Sequence, residues 1–200
     1  MELTLMAEDQ QNREAGRDAA AQLMLRAKAG DSTAFDRIIV AHQRRVLSLA
    51  WRLLGNQDDA RDAAQEAFLR VYRHLEKFDA SLDFSGWLYR IVVNVCRDQA
   101  RKRGNHFSSF EAEMEAGTIT EPASPHNTES AAMAAEEQAM ILRALAQLTE
   151  KERAAIVLRD LEGLPTEEVA RILGSSPTTI RSQISSARAR LKAFRDRQKR

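Results

Sequence analysis

Residues 164–191 read LPTEEVARILGSSPTTIRSQISSARARL, and the order of signals within them predicts two helices joined by a tight turn. Thr166 is a suitable N-cap, since its hydroxyl can accept from a free first-turn amide. Glu167 and Glu168 then sit at the positive end of the helix dipole. Val169, Ala170 and Leu173 form an apolar stripe, and Gly174 can take the left-handed conformation that ends a helix. Ser176 caps a second helix, with Pro177 at its first position, where a missing N–H costs nothing. Ile180, Ile184, Ala187 and Leu191 recur at steps of four, three and four and make one buried face. The outward positions carry Thr, Arg, Ser and Gln, which can donate to phosphates and base edges. A short helix, a glycine turn and a second helix with a basic outer face have the form of a DNA-binding helix-turn-helix. An ordinary antiparallel helix pair shares that pattern, but the charge argues against it. Residues 177–200 hold eight Lys or Arg and one acid, in a chain whose total is +1. Charge so concentrated suits a polyanion.

A chain of 200 residues holds one medium domain or two small ones. Eight Gly and four Pro, with few β-branched runs, point to an all-α fold. The single cysteine, Cys96, excludes an internal disulfide framework and suggests a reducing compartment. It lies beside Val92, Val93 and Val95, so a buried structural thiol is expected. No stretch approaches about 18 consecutive apolar residues, and no signal-peptide pattern opens the chain. A cytoplasmic, unexported protein is expected. His42, His74, His106 and His126 have no metal-ligand spacing, so no metal and no cofactor are expected. Nor is there a nucleophile with a base or a Gly-rich phosphate loop, so no enzyme is expected either.

The near-zero net charge hides segregation. Residues 1–103 carry 17 basic and 15 acidic side chains, residues 104–137 carry seven acids and no Lys or Arg, and residues 138–176 come to −1. The predicted organisation follows this map: a loose tail over 1–20, a helical domain over 21–103, an acidic flexible linker over 104–137, and the helix-turn-helix domain with its basic tail over 138–200.

In chain order, a short helix over 18–29 should turn Leu23, Met24 and Ala27 inward and stop at Gly30. Asp31 or Ser32 caps the next helix, whose Phe35, Ile38, Ile39, Val46, Leu49, Ala50 and Leu53 keep a helical period up to Gly55. A third helix, from about Asp58 to Lys77, buries Ala60, Ala64, Ala67, Phe68, Val71 and Leu75. Its Asp62, Gln65, Glu66 and Leu69 share another side, readable as a solvated face or as a face offered to a partner helix. Phe78–Gly86 reads as a loop. The helix after it interleaves Trp87, Tyr89, Arg90, Asn94, Arg97 and Arg101, ending in Arg101, Lys102 and Arg103. Arg and Lys neutralise phosphates, and Trp and Tyr offer flat surfaces for an unstacked base. The plainer alternative makes Trp87 and Tyr89 core and boundary residues. After the linker, Ala139, Leu142, Leu145 and Leu148 form a helix, and Thr149 with Glu152 makes a capping box. Ile156, Val157 and Leu161 then face inward up to Gly163.

Three stretches together resemble a known family. Asp62 to Tyr72 is similar to the core-polymerase-binding helix of bacterial sigma factors. Phe84 to Asn94 is similar to the promoter-melting helix of the small two-domain group, the extracytoplasmic-function sigma factors, and residues 164–191 resemble that group's second conserved region. This resemblance implies two helical domains, core RNA polymerase and promoter DNA as partners, and an anti-sigma factor, often membrane-bound, as an inhibitor. It implies transcription initiation at a stress or envelope-response regulon. By resemblance, Asp62, Gln65, Glu66, Phe68 and Leu69 dock on the polymerase. The loop Phe78–Gly86 forms a pocket for a flipped base, and Trp87, Arg90, Asn94, Arg97 and Arg101 bind the −10 DNA. Thr178, Thr179, Arg181, Ser182, Ser185, Ser186 and Arg188 face the −35 groove. The family often has basic residues where Gln183 and Ser186 stand, and sometimes an aromatic at Ser185, so base-by-base specificity does not carry over. A stand-alone helix-turn-helix regulator is the alternative, but it leaves Asp62 to Asn94 unexplained.

Overall fold

The computed structural model describes residues 19–79, 83–102 and 128–198. Every regular element among them is helical, in two groups that meet along one face.

The first group begins with α1 (19–28), which buries Ala20, Met24 and Ala27 at steps of four and three. Gly30, at φ 92°, ends it. Asp31 then caps α2 (Ser32–Leu54), its carboxylate accepting from the Ala34 amide at 3.1 Å. The inward face of α2 holds Ile38, Val46 and Leu49 with no exposure. Gly55 closes the helix at φ 77°, and the Asn56 side chain accepts from Asp59 N at 2.9 Å to open α3 (Gln57–Arg73). The expected continuation of α3 to Lys77 is broken at His74. A separate 3₁₀ turn, Leu75–Lys77, follows, because Leu75 and Phe78 must both turn inward to be buried. In α4 (Phe84–Lys102), Leu88, Val92, Val93, Val95 and Cys96 close this core against α2 and α3.

The second group opens with α5 (Thr128–Ala146), which starts inside the stretch expected to be linker. Residues 128–139 are rich in Ala, Glu, Met and Gln, strong helix formers, and the acidic charge masked that propensity. Residues 1–18, 80–82 and 103–127, with most of the expected tail and linker, lie outside the described residues. The predicted capping box at Thr149 and Glu152 is present and opens α6 (Glu150–Ile156). α6 then runs into a π turn, Val157–Leu161, where Glu162 N donates to Val157 O at 2.9 Å. The wider turn shifts the register, so Leu158 is fully buried while Leu161, expected inside, is 44% exposed.

α7 (Thr166–Leu173) also differs from expectation at its start. Thr166 is its first helical residue and not its cap; Pro165 holds that place, and its carbonyl accepts from Glu168 N and Val169 N, both at 3.0 Å. Gly174 ends α7 at φ 63°. Ser176 Oγ accepts from Thr179 N at 3.1 Å at the head of α8 (Pro177–Gln198). Ile180, Ile184 and Ala187 are buried as predicted, and Leu191 is half-buried.

The two groups are in contact. α4 packs on α7, and the C-terminal end of α2 meets α6 and its π turn. Arg153 is 3% exposed and donates to three carbonyls: Leu145 O at 3.0 Å, Leu148 O at 3.3 Å and, across the interface, Leu53 O at 3.0 Å. Burial pushes its guanidinium down to about 10, still protonated at neutral pH. The negative ends of α2 and α5 counter that desolvation.

Candidate nucleic-acid interface

On α3, Asp62, Gln65 and Leu69 are exposed and Glu66 is half-buried, on one side of the helix. Glu66 is engaged, accepting from Arg70 Nε at 2.8 Å, while Arg70 Nη1 also reaches Asp98 on α4 at 3.1 Å. Phe68 is only 9% exposed, and it is both core and floor. With Phe35, Ile39, Gln65, Leu69 and Tyr72 it lines an apolar groove of about 320 Å³ between α2 and α3. The Phe35 and Tyr72 rings meet at 5.2 Å, and Tyr72 remains 59% exposed. Sequence reasoning placed Phe35 and Ile39 in the core and gave Tyr72 no role. Only the packing of α2 on α3 brings them to the groove, and no local signal could have.

On α4, Trp87, Arg90, Asn94, Arg97 and Arg101 follow at steps of three, four, three and four. All five candidates therefore share one stripe. Arg90, Asn94 and Arg101 are exposed. Arg101 pairs with Asp98 one turn back. Arg97 is half-buried, its Nε 3.3 Å from Glu150 Oε1 across the domain interface. Trp87 is half-buried among aromatic neighbours, with Phe78 at 5.2 Å and Phe84 at 6.1 Å. Its edge of the stripe is thus built on a rigid aromatic cluster. Tyr89 does not fit the reading as a base platform. It is 3% exposed, its hydroxyl donates to Glu162 Oε2 at 3.0 Å, and burial followed by the Glu162 charge raises its pKa.

The expected loop is shorter than Phe78–Gly86, because Phe84, Ser85 and Gly86 already belong to the first turn of α4. Asp83 caps that turn, its Oδ2 accepting from Gly86 N at 2.9 Å. Phe78 and Phe84 are buried, and residues 80–82 lie outside the described residues. His42 stands edge-on to Phe84 at 5.0 Å. Its pKa is lowered, first by burial and then by Arg45, with Asp83 opposing.

On α8, Thr178, Ser182 and Ser185 form the centre of the outward stripe, and Thr179, Arg181, Ser186 and Arg188 border it; all seven are exposed. The border residues are tethered. Arg181 Nη2 reaches Glu167 Oε1 at 3.1 Å, and Arg188 makes a bidentate pair with Asp160, Nε to Oδ2 at 3.0 Å and Nη2 to Oδ1 at 2.8 Å. Ser186 turns toward Glu152, which also lies 3.3 Å from Arg190. The arrangement is a polar, cation-edged helix backed by Ile180, Ile184 and Ala187. Such a surface carries hydrogen-bonding groups able to meet base edges and phosphates alike.

Two family models match the chain: Sigma-70 region 2 over residues 38–106 and Sigma-70, region 4 over residues 138–191. The chain is 34% identical over 174 residues to the RNA polymerase sigma-H factor of Pseudomonas aeruginosa, covering 84% of this chain and 89% of that protein. It is 36% identical over 174 residues to the ECF RNA polymerase sigma-E factor of Escherichia coli K12, covering 83% of this chain and 88% of that one. Among solved structures, CnrH in complex with the cytosolic domain of CnrY superposes with a TM-score of 0.67. It shares 26% identity and covers 89% of this chain and 97% of that one.

Proposed function

The chain belongs to the extracytoplasmic-function sigma factors of RNA polymerase, and from that membership we propose how its surfaces divide the work of promoter recognition. It is a sigma factor that joins core RNA polymerase, reads the −35 and −10 promoter elements and starts transcription. In this reading the domain of α1–α4 serves the polymerase and the −10 element, and that of α5–α8 serves the −35 element. The groove around Leu69 receives an apolar side chain of the polymerase, with Asp62, Gln65 and Glu66 as its polar rim and Phe68 as its floor. The α4 stripe holds the melted −10 strand. Arg90, Arg97 and Arg101 take phosphates, the amide of Asn94 reads a base edge, and Trp87 with Phe78 and Phe84 walls the site of a flipped base. Flipping costs a few kcal/mol, which these contacts must offset. Thr178, Thr179, Arg181, Ser182, Ser185, Ser186 and Arg188 enter the −35 major groove, and Arg181 can hold guanine bidentately.

The chain supplies binding, and the chemistry stays with the polymerase. Among the described residues no helix is long and apolar enough to cross a membrane; a cytoplasmic site of action is taken from family membership. CnrH was solved with the cytosolic domain of CnrY bound, which supports a protein partner for this chain, read here as an anti-sigma factor; a stress or envelope-response regulon is taken from family membership alone.

The observation that carries this reading is the apolar groove on α2 and α3, with Leu69 and Tyr72 left exposed beside it. A free-standing helix-turn-helix regulator has no use for it. Run-off transcription with purified core polymerase tests the reading. The chain should convert core enzyme into an initiator at one class of promoter. DNA binding by the chain without any polymerase-dependent transcript would instead favour the free-standing regulator.

A further inference from the structure

The proposed base site is walled by Trp87, Phe78 and Phe84, and nothing on α4 explains what holds Phe78 in place. Phe78 lies on the far side of the loop from α4. The 3₁₀ turn Leu75–Lys77 stops there. Phe78 N donates to Leu75 O at 3.1 Å, and the backbone then leaves the turn in an extended conformation, at φ −71° and ψ 125°. Its carbonyl therefore departs from the helical direction, beside a ring that is only 3% exposed. A backbone acceptor at so buried a residue needs a donor.

The donor is Lys28, the last residue of α1, whose Nζ lies 2.8 Å from Phe78 O, 50 residues away in sequence. A lysine at a helix C-terminus commonly turns to the last carbonyls of its own helix. Here it reaches out of α1 instead, and its charge makes the bond stronger than a neutral one. The consequence is geometric. The Phe78 ring meets Trp87 at 5.2 Å and stands edge-on to Phe84 at 5.7 Å. On the other side of the loop, Asp83 O accepts from Trp87 N at 3.2 Å and Asp83 Oδ2 accepts from Gly86 N at 2.9 Å. The indole is thus fixed by the start of α4, and the ring beside it is fixed from α1. Without the ammonium, the Phe78 carbonyl finds its donor in water, and the ring turns with the backbone.

We propose that Lys28 is a positioning residue for the base site. It holds the Phe78 backbone so that the Phe78 ring completes the wall beside Trp87, and promoter opening depends on it. The inference rests on the reading of Trp87, Phe78 and Phe84 as the wall of that site. A base entering a wall already in place does not have to order it, so less of the contact energy is lost.

The test has two arms. The first uses the free full chain carrying Trp51→Phe, which leaves Trp87 as the reporter, since the chain has two tryptophans. Acrylamide quenching of Trp87 should be low in this parent and should rise in Lys28→Met toward that of the urea-unfolded chain. It should fall back in Lys28→Arg, which keeps a charged donor. The second arm uses holoenzyme on a promoter carrying 2-aminopurine at the flipped −10 position. Lys28→Met should lower the opening equilibrium about fivefold, the scale of one hydrogen bond. Core-polymerase affinity and the salt dependence of promoter binding should stay as in the parent, and Lys28→Arg should restore most of the opening. A direct phosphate contact would instead flatten the salt dependence, and a lysine that only stabilises the domain would lower core binding and opening together. Either of those results overturns the proposal. So does parental quenching or parental opening in Lys28→Met, or a Lys28→Arg chain that stays helical without restoring both. A parent holoenzyme that opens no promoter overturns the sigma-factor reading and the base site with it, whereas failure confined to the Lys28 variants leaves that reading intact.

Discussion

Replacing Leu69 tests the polymerase-docking assignment most directly. Leu69 is 42% exposed on the rim of the apolar groove. Fully burying a leucine side chain contributes about 1.5–3 kcal/mol, so covering the part still exposed contributes about 0.6–1.3 kcal/mol. Leu69→Ala forfeits most of that, which corresponds to a Kd for core polymerase weaker by roughly threefold to eightfold. Leu69→Asp goes further, since it drives a carboxylate into an apolar contact. A penalty of several kcal/mol predicts a loss of more than about 100-fold. Stability should move little, within about 0.5 kcal/mol, because the side chain stands at the surface. Titration of fluorescently labelled protein with core polymerase measures the first quantity, and urea denaturation the second. If Leu69→Asp binds polymerase as the parent does while melting normally, the groove is not the docking surface and the reasoning from exposed apolar area fails.

Arg181→Ala should cost about 1–3 kcal/mol at the cognate −35 duplex and less on unrelated DNA; equal losses in the two titrations would reduce Arg181 to a phosphate contact. Arg153→Met leaves the carbonyls of Leu53, Leu145 and Leu148 without their shared donor. It should lower unfolding stability by about 2–4 kcal/mol, since a buried acceptor left unpaired costs about 1–3 kcal/mol and the relieved desolvation returns part of it. A urea midpoint equal to that of the parent would refute this. The Asp31 carboxyl is held down at about 2, against an ordinary 3.8, by hydrogen bonds from Thr33, Arg26 and the Ala34 amide. Because its folded value is the lower one, the stabilisation is complete above pH 3.8 and is lost as pH falls through that value toward 2. The stability gap between the parent and Asp31→Asn should therefore narrow between pH 5 and pH 2 in urea melts; a gap constant across that range would contradict the assignment. The Cys96 thiol, pushed up to about 12 by burial, should resist alkylation in the folded chain and react once urea unfolds it.

Much of this molecule was legible locally. Stops and caps were read correctly at Gly55, Thr149, Gly174 and Ser176, and at Asp31 as one of two candidates, because each depends on the conformation of a few consecutive residues. The stripe from Trp87 to Arg101 was also visible, since spacing alone puts those residues on one side of a helix. Leu161 was misplaced for a reason of the same scale. A π turn shifts the register by one residue, and periodicity assumes no such shift. At Thr166, residue type suggested a cap, but Pro165 already occupied that place in the backbone. In α5 the acidic composition of a linker concealed a run of strong helix formers.

The family and its two-part organisation were thus determined by the sequence itself, because helix faces and turns are short-range properties. Burial that depends on a distant partner was not. Tyr89 looked like a platform for a base until Glu162, 73 residues away, took its hydroxyl. Nothing in the residues around Arg153 marks it out, yet three carbonyls from two domains enclose it. Phe35, Ile39 and Tyr72 became a groove only when α2 lay on α3. Hydrophobic period says which side of a helix turns inward, and it carries no information about which helix will be waiting there. The tertiary structure decided that, and with it which cations of this chain are held by its own carboxylates.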